Sequence, residues 1–270
     1  MKIKNILSAT ALCAASALAL SSCSKEKETV TAPAAVSQDV LGQVQALGFG
    51  TQGVRQVEGG YVVEGDILLT PALLASAPGY ATLRVGEEEQ YRTTNLVGRL
   101  PRTLTVSISS QFSSTYVSAA DEAIRRYNAA NLQLHFQRIT SGTASLPIKY
   151  SSNLGPGVLG QSGGFPSNGE PAPGFTLVPN VIGNQTVNAI ATIMAHEMGH
   201  CIGFRHTDYM NRQFSCGGSY SNEGASNVGA IRIPGTPSAA DPNSWMLACV
   251  GYNVNRPFNS NDVIALNYLY

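Results

Sequence analysis

The run Ala195-His196-Glu197-Met198-Gly199-His200-Cys201-Ile202-Gly203-Phe204-Arg205-His206 decides how this chain is read. The whole chain has 4 histidines, and all but His135 fall here. His196 and His200 are four apart, so on a helix they stack one turn above the other on one face. Two imidazoles so placed can bind one Zn2+ at about 2.0–2.1 Å each. Glu197 starts the same turn and is poised to take a proton from a water at that ion rather than to ligate it. A straight helix would carry His206 away. Gly203, free to adopt a positive φ, ends the helix and turns the chain back, so that His206 can supply a third ligand. Three protein ligands leave the fourth position open to water, which marks a catalytic and not a structural zinc. His135 alternates within a strand pattern and reads as a plain surface or core residue.

Outward from this run, Asn184 or Thr186 caps a long helix that ends near Ile202. Thr103–Ser109 alternates with Leu104, Val106 and Ile108 on one face, as a half-buried strand does. Ser113 or Ser114 caps a helix to about Ala130, with Val117, Ala120, Ile124 and Tyr127 at helical spacing. Leu132, Leu134 and Phe136 alternate again, and Leu146–Tyr150 is another short strand. Gly155 to Pro179 is rich in glycine and proline around an apolar island at Phe175–Val178. Residues 211–242 read as mostly irregular, and Ser260 caps a final helix with Val263, Ile264, Leu266 and Leu269. Strand, helix, strands, helix, irregular region, helix is an α+β layout. A domain boundary is expected near Arg99, which follows the acidic cluster Glu87-Glu88-Glu89.

The 270 residues are 43% hydrophobic and 13% charged, with Lys+Arg 17 against Asp+Glu 17. That size buries a proper core in one large or two small domains. Zero formal charge carries no footprint for nucleic acid. Gly 27 and Pro 14 point to many turns and long loops.

Met1–Lys4 is basic and Ile6 to Leu20 almost wholly apolar, too short to span a bilayer. Leu20-Ser21-Ser22-Cys23 resembles the lipobox of bacterial lipoproteins. That resemblance implies removal of residues 1–22 and lipidation of Cys23, the competing view being an ordinary secretory signal. Residues 23–40 read as a flexible tether, and 41–98 as a pro-segment or accessory region before a catalytic domain at 99–270. The run KEKE after Cys23 resembles export signals of surface lipoproteins in the Bacteroidetes. The expected location is therefore the bacterial cell envelope, at the outer membrane or surface or released from it. Of the remaining cysteines, Cys201, Cys216 and Cys249, two can pair and one stays free, in any of three ways.

His196, Glu197, His200, Gly203 and His206 match HExxHxxGxxH, and the chain thereby resembles the metzincin clan of zinc metallopeptidases. HEMGH followed by CIGFRHTDYMNR and then by SWMLAC is most similar to the bacterial dual-action HEIGH metallopeptidases, with Met198 where that name has isoleucine. The resemblance implies a twisted, mostly parallel sheet, a backing helix, an active-site helix and a smaller irregular C-terminal subdomain ending in a helix. It implies zinc as cofactor, protein or peptide as substrate, and endopeptidase action by a water that Glu197 activates. Ser244–Cys249 looks like the metzincin Met-turn, with Met246 packed beneath the zinc; an ordinary core methionine is the alternative. The segment Gly160–Val178 stands where metzincins have the edge strand that pairs with extended substrate, or else is a surface loop. Val63-Glu64-Gly65-Asp66-Ile67 resembles the latency segment of astacin-type proenzymes, in which an aspartate, here Asp66, takes the open metal position. A Gly-Asp hairpin turn explains the same residues. Cleavage near Arg92–Arg102 would then release the segment. Asp208 either orients a ligand histidine or serves a turn, and Tyr209 and Tyr252 are candidates for oxyanion stabilisation. The rival from another class is a zinc-stabilised binding or adhesion lipoprotein without turnover. No association pattern is present, so a monomer is expected.

Overall fold

Leu104 and Val106 are fully buried, and the strand they build, Arg102–Ile108, lies inside a sheet of 8 strands. The computed structural model describes residues 35–47, 49–75, 90–223, 230–237 and 240–270. The expected signal segment, Cys23 and the Glu87–Glu89 cluster lie outside them. Among the described residues no helix is long and apolar enough to cross a membrane.

The N-terminal elements are helix α1 (Gln38–Ala46), strands β1 (Arg55–Val57), β2 (Gly60–Val63) and β3 (Ile67–Leu69), the short helix α2 (Pro71–Ala75) and strand β4 (Tyr91–Arg92). Then follow β5 (Arg102–Ile108), α3 (Ser114–Ala129), β6 (Leu134–Arg138), β7 (Leu146–Tyr150), β8 (Gly160–Ser162) and β9 (Phe175–Leu177). The last part holds α4 (Pro179–Ile182), α5 (Val187–Ile202), β10 (Phe204–Arg205), α6 (Gln213–Cys216), β11 (Ile231–Arg232) and α7 (Ser260–Leu269). The large sheet runs β1-β2-β3-β8-β9-β7-β5-β6. Strands β6, β5, β7 and β9 are parallel, and β8 pairs antiparallel to β9. On its other edge β8 receives β3 in parallel, so the β1–β3 meander extends the same sheet. This is the α+β architecture expected, with α3 as backing helix and an irregular C-terminal region that ends in α7.

From Ala189 to Ile202 every residue of α5 is buried. A helix apolar nearly all round belongs in a core, and here it lies between the sheet, α3 and the C-terminal region. Three polar anchors hold it to α3. Tyr127 Oη donates to Ala195 O (2.8 Å), and Arg126 donates to Thr192 Oγ1 and Asn188 O (both 3.1 Å). A second, smaller core forms around Val63, Ile67, Leu69 and Phe165, with Phe49 stacked on Phe165 at 5.6 Å.

Several expectations need correction. Gln38–Val40, placed in the tether, are the first residues of α1, capped by Ser37, whose side chain accepts from Val40 N. The boundary near Arg99 does not coincide with a structural break. Tyr91 and Arg92 pair with both β10 and β11, and Gln90 donates to Ser244 and Asp262 in the C-terminal region. The final helix is capped by Asn259 in a reciprocal capping box with Asp262, one residue before Ser260. Of the two caps considered for α5 it is Thr186 that accepts from Ala189 N (3.3 Å). Residues 211–242 include α6 and β11.

Gly203 terminates α5 at φ 113°, and its N–H bonds Gly199 O (3.1 Å) and His200 O (3.0 Å). The loop Thr93–Leu96 presses on it from outside, with Thr93 N donating to Gly203 O (2.8 Å). A β-carbon here would come within 2.8 Å of Leu96 Cδ2 and 2.9 Å of Asn95 O. Gly203→Ala should therefore lower stability by about 2 kcal/mol or more in denaturant unfolding, the cost of forcing a side chain into this conformation and space. Cys216 and Cys249 are bridged, and Cys201 is free and buried. The bridge closes a loop of 33 residues, so the double variant Cys216→Ser/Cys249→Ser should lose about 3–4 kcal/mol in the same measurement.

Candidate metal centre

His196 and His200, one turn apart on α5, bring their Nε2 atoms to 3.0 Å. The turn at Gly203 and the two residues of β10 then return His206, whose Nε2 lies 3.2 Å from that of His200. The three rings meet edge to face or stacked, with centroids 4.7–5.3 Å apart. The sequence expectation for all three histidines thus corresponds to one cluster.

Each imidazole is aimed by a bond at its far nitrogen. His196 Nδ1 faces Trp245 O (3.0 Å), His200 Nδ1 faces Phe204 O (2.9 Å) and His206 Nδ1 faces Glu223 Oε1 (2.9 Å). All three partners accept, so each Nδ1 carries a proton and Nε2 is the nitrogen turned toward the shared centre. Burial pushes His200 down to about 4, which favours the neutral form that ligates metal. At His206 burial also opposes charge, but the carboxylates of Glu223 and Asp66 outweigh it and hold the ring well above its ordinary range.

Asp66 arrives from the turn between β2 and β3, where Glu64 sits at φ 54°. Its Oδ2 lies 3.1 Å from His206 Nε2, 3.4 Å from His196 Nε2 and 3.7 Å from His200 Nε2. Burial would raise Asp66, yet the His206 charge and bonds to the three rings hold it well below the usual carboxylate range. The turn between β2 and β3 thus delivers the Asp66 carboxylate to the three rings. Three imidazole nitrogens and one carboxylate oxygen, all within 4.8 Å of one another, suit one divalent cation. Glu197 Oε2 and Asp66 Oδ1 are buried there with no hydrogen-bond partner, as groups are that await a cation or water.

Glu197 is 2% exposed. Burial first, then the charge of Asp66, pushes it well above the usual range, against the opposing pull of His206 and of the Ser162 backbone in β8. Beneath the ligand turn Met246 is fully buried, and a side chain at Gly199 would overlap its Sδ. The turn around Met246 is pinned by Thr207 N to Met246 O (2.8 Å) and Met246 N to Ser244 Oγ (3.2 Å).

Other expected residues serve elsewhere. Asp208 touches no histidine; it accepts from Ala248 N (2.9 Å) and Ser215 Oγ (2.6 Å) and so ties the disulfide region to the turn. Tyr252 is exposed and donates to Asn184 O, while Tyr209 is buried edge-on to Tyr91 under Arg205. Neither lines the cavity beside Glu197. His135 is on the exposed face of β6. The residue that orients His206 is instead Glu223, in an irregular stretch with no periodicity to reveal it.

Glu223 belongs to a buried charge cluster that sequence reading did not assemble. Arg205 and Glu64, 1% and 3% exposed, form an ion pair. Arg212 donates to Glu64 O (2.7 Å) and meets Glu223 Oε1 (3.1 Å). Burial outweighs Arg205 and pushes Glu64 up to about 8. The hairpin is thus held by Glu64 to the residue just before the third histidine, and by Asp66 to the histidines themselves.

The fold is similar to that of myroilysin (TM-score 0.40, 14% identity, covering 62% of this chain and 79% of that one). It is also similar to high choriolytic enzyme 1, a hatching enzyme zinc-protease from Oryzias latipes, the medaka fish (TM-score 0.36, 17% identity, covering 62% of this chain and 88% of that one). No curated protein matches the sequence significantly. The model of the dual-action HEIGH metallo-peptidases matches residues 62–270, the span that holds the histidine cluster, Glu197 and the Asp66 hairpin, and the chain belongs to that family.

Proposed function

We propose that this metallopeptidase is a zinc endopeptidase of the bacterial cell envelope, tethered by lipid on Cys23 and made in a form that its own N-terminal hairpin holds latent. The observation that carries the catalytic part is Glu197, a buried carboxylate held high and without a partner at Oε2, beside three imidazoles whose Nδ1 atoms are all engaged. His196, His200 and His206 hold the metal, and Met246 packs under the turn that carries two of them. Zinc, when bound, polarises the scissile carbonyl and acidifies a water. Glu197 takes the proton from the attacking water and passes it to the leaving amine, a shuttle for which a raised carboxylate is suited. Glu223, Trp245 O and Phe204 O keep the three rings from rotating.

The latent part rests on Asp66 and β3. Asp66 Oδ2 stands where a fourth ligand would, and Ser162 N donates to Asp66 O (2.8 Å) where β3 joins β8. The hairpin so covers the edge to which an extended substrate backbone would add as a strand. Activation needs this hairpin displaced. Cleavage between Arg92 and Arg102 would also cut β4 from β5, so displacement of the hairpin, and not loss of everything before Arg99, is the event that opens the site. The signal at residues 1–22, the tether and a monomeric state belong to the same reading.

Glu197→Ala should retain one zinc per chain by metal analysis and lose about 100-fold or more of hydrolysis of an unfolded protein. Chelation should abolish wild-type hydrolysis, and zinc should restore it. Bound zinc with no hydrolysis by the wild type, hairpin displaced or not, would favour the non-catalytic binding lipoprotein. Glu223→Gln should weaken zinc about 10–100-fold in competition with a chelator. In the uncleaved chain Asp66→Ala should raise peptide hydrolysis; equal rates in the two proteins would end the latency proposal.

A further inference from the structure

Glu197 and His196 line a cavity of about 390 Å³. Its walls are Thr192 and Ile193 of α5, Trp245, Leu247 and Val250 from the chain on either side of Met246, and Arg256. The hairpin turn at Gly65 and Asp66 lies along it too. An apolar pocket that opens onto the reacting centre is where a side chain next to the scissile bond comes to rest. The cation in its wall is the unusual feature.

Arg256 is half-buried, and its backbone N–H is fixed to Thr192 Oγ1 (2.8 Å). Its guanidinium donates to Cys249 O at 3.4 Å. Among the described residues no carboxylate forms an ion pair with it. Asp208, Asp241 and Asp262 act on it only through space, against burial that lowers its pKa. Each of the three is committed elsewhere. Asp208 holds Ala248 N and Ser215; Asp241 accepts from Asn259 Nδ2 (2.8 Å) and Asn261 Nδ2 (2.9 Å); Asp262 accepts from Gln90, Trp245 N and Asn259 N. Arg126, which reaches the same Thr192 from α3, shows the contrast: it has Glu122 at 2.9 Å and further acceptors at Asn188 and Asn255. Arg212 also lines the cavity but is spent on Glu223 and Glu64 O.

We infer that this cavity receives the substrate side chain adjacent to the cleaved bond, and that Arg256 makes it select glutamate or aspartate. The inference rests on the peptidase reading above. A guanidinium presents paired donors that match a carboxylate, and in a site partly removed from water that match is worth more than at a surface. A neutral amide of the same shape can accept one such bond but brings no charge, so the selection is electrostatic and appears as a kcat/KM ratio.

The test uses zinc-loaded full-length chain in the Asp66→Ala background. Peptides identical but for Glu, Gln or Lys in the residues flanking one bond are cleaved, and the products are located by amine labelling. The expected result is an acidic residue at one position next to the cut, with kcat/KM for Glu about 10-fold or more above Gln. Arg256→Gln should bring that ratio to about one, and Arg256→Glu should favour Lys over Glu. Cleavage with no acidic enrichment beside the cut, or a preference that survives Arg256→Gln, overturns the inference while leaving the peptidase reading intact. The first of these needs no Arg256 variant, so it holds even if the variants fail to fold. Absence of cleavage in every peptide, with the hairpin in place or removed by limited proteolysis, overturns both.

Discussion

A helix can hold two imidazoles on one face but not a third at the same centre, and the metal site depends on how the backbone escapes that limit. At Gly203 φ reaches 113°, and the chain leaves α5 sharply enough for His206 to come back over His200. The loop Thr93–Leu96 lies against the bend and bonds its carbonyl, so the bend is enforced from outside as well as permitted from within. Met246 fills the space under the preceding turn because Gly199 leaves it vacant. Core, bend and ligands are therefore one packing problem, and a change at any of them displaces nitrogen lone pairs by distances that metal coordination does not tolerate.

Charge is arranged around the same centre with equal economy. Asp66 and Glu223 flank His206, and Arg205 and Arg212 stand behind them facing Glu64 and Glu223. Buried carboxylates at such density are stable only beside cations. Part of that compensation is supplied by the two arginines, and the rest by whatever positive charge sits among the imidazoles. A hairpin that contributes both Asp66 and Glu64 to this cluster is bound by electrostatics as well as by the apolar contacts of Phe49, Val63 and Ile67 with Phe165 and its neighbours.

Much of this was legible in the residues. The four-residue histidine spacing and the glycine before the third histidine need only helix geometry. The strands Leu104–Val106 and Leu146–Ile148 and the helix from Ser114 follow from apolar periodicity. Glu223 was not legible, because it comes from an irregular stretch whose course is set by long-range contacts such as Glu223 N to Tyr209 O. For Asp208 the sequence admits two readings for the related reason that proximity to His206 does not fix the direction of a side chain after a turn. The pairing of Tyr91 and Arg92 with strands more than a hundred residues later was not legible, because composition shifts do not reveal it. Glu64 lay inside a recognisable motif, but its partner Arg205 became apparent only once the hairpin was placed.

The seam between β3 and β8 has one more consequence. Only Ile67 and Ser162 stand as register partners there, on a strand of three residues that glycines and Pro166 soon follow. Once vacated, such a rim offers too few amide and carbonyl groups, over too short a length, to nucleate stacking of one molecule on another. If the hairpin is displaced as proposed, the uncovered border admits a visiting peptide without acting as a template for fibrils.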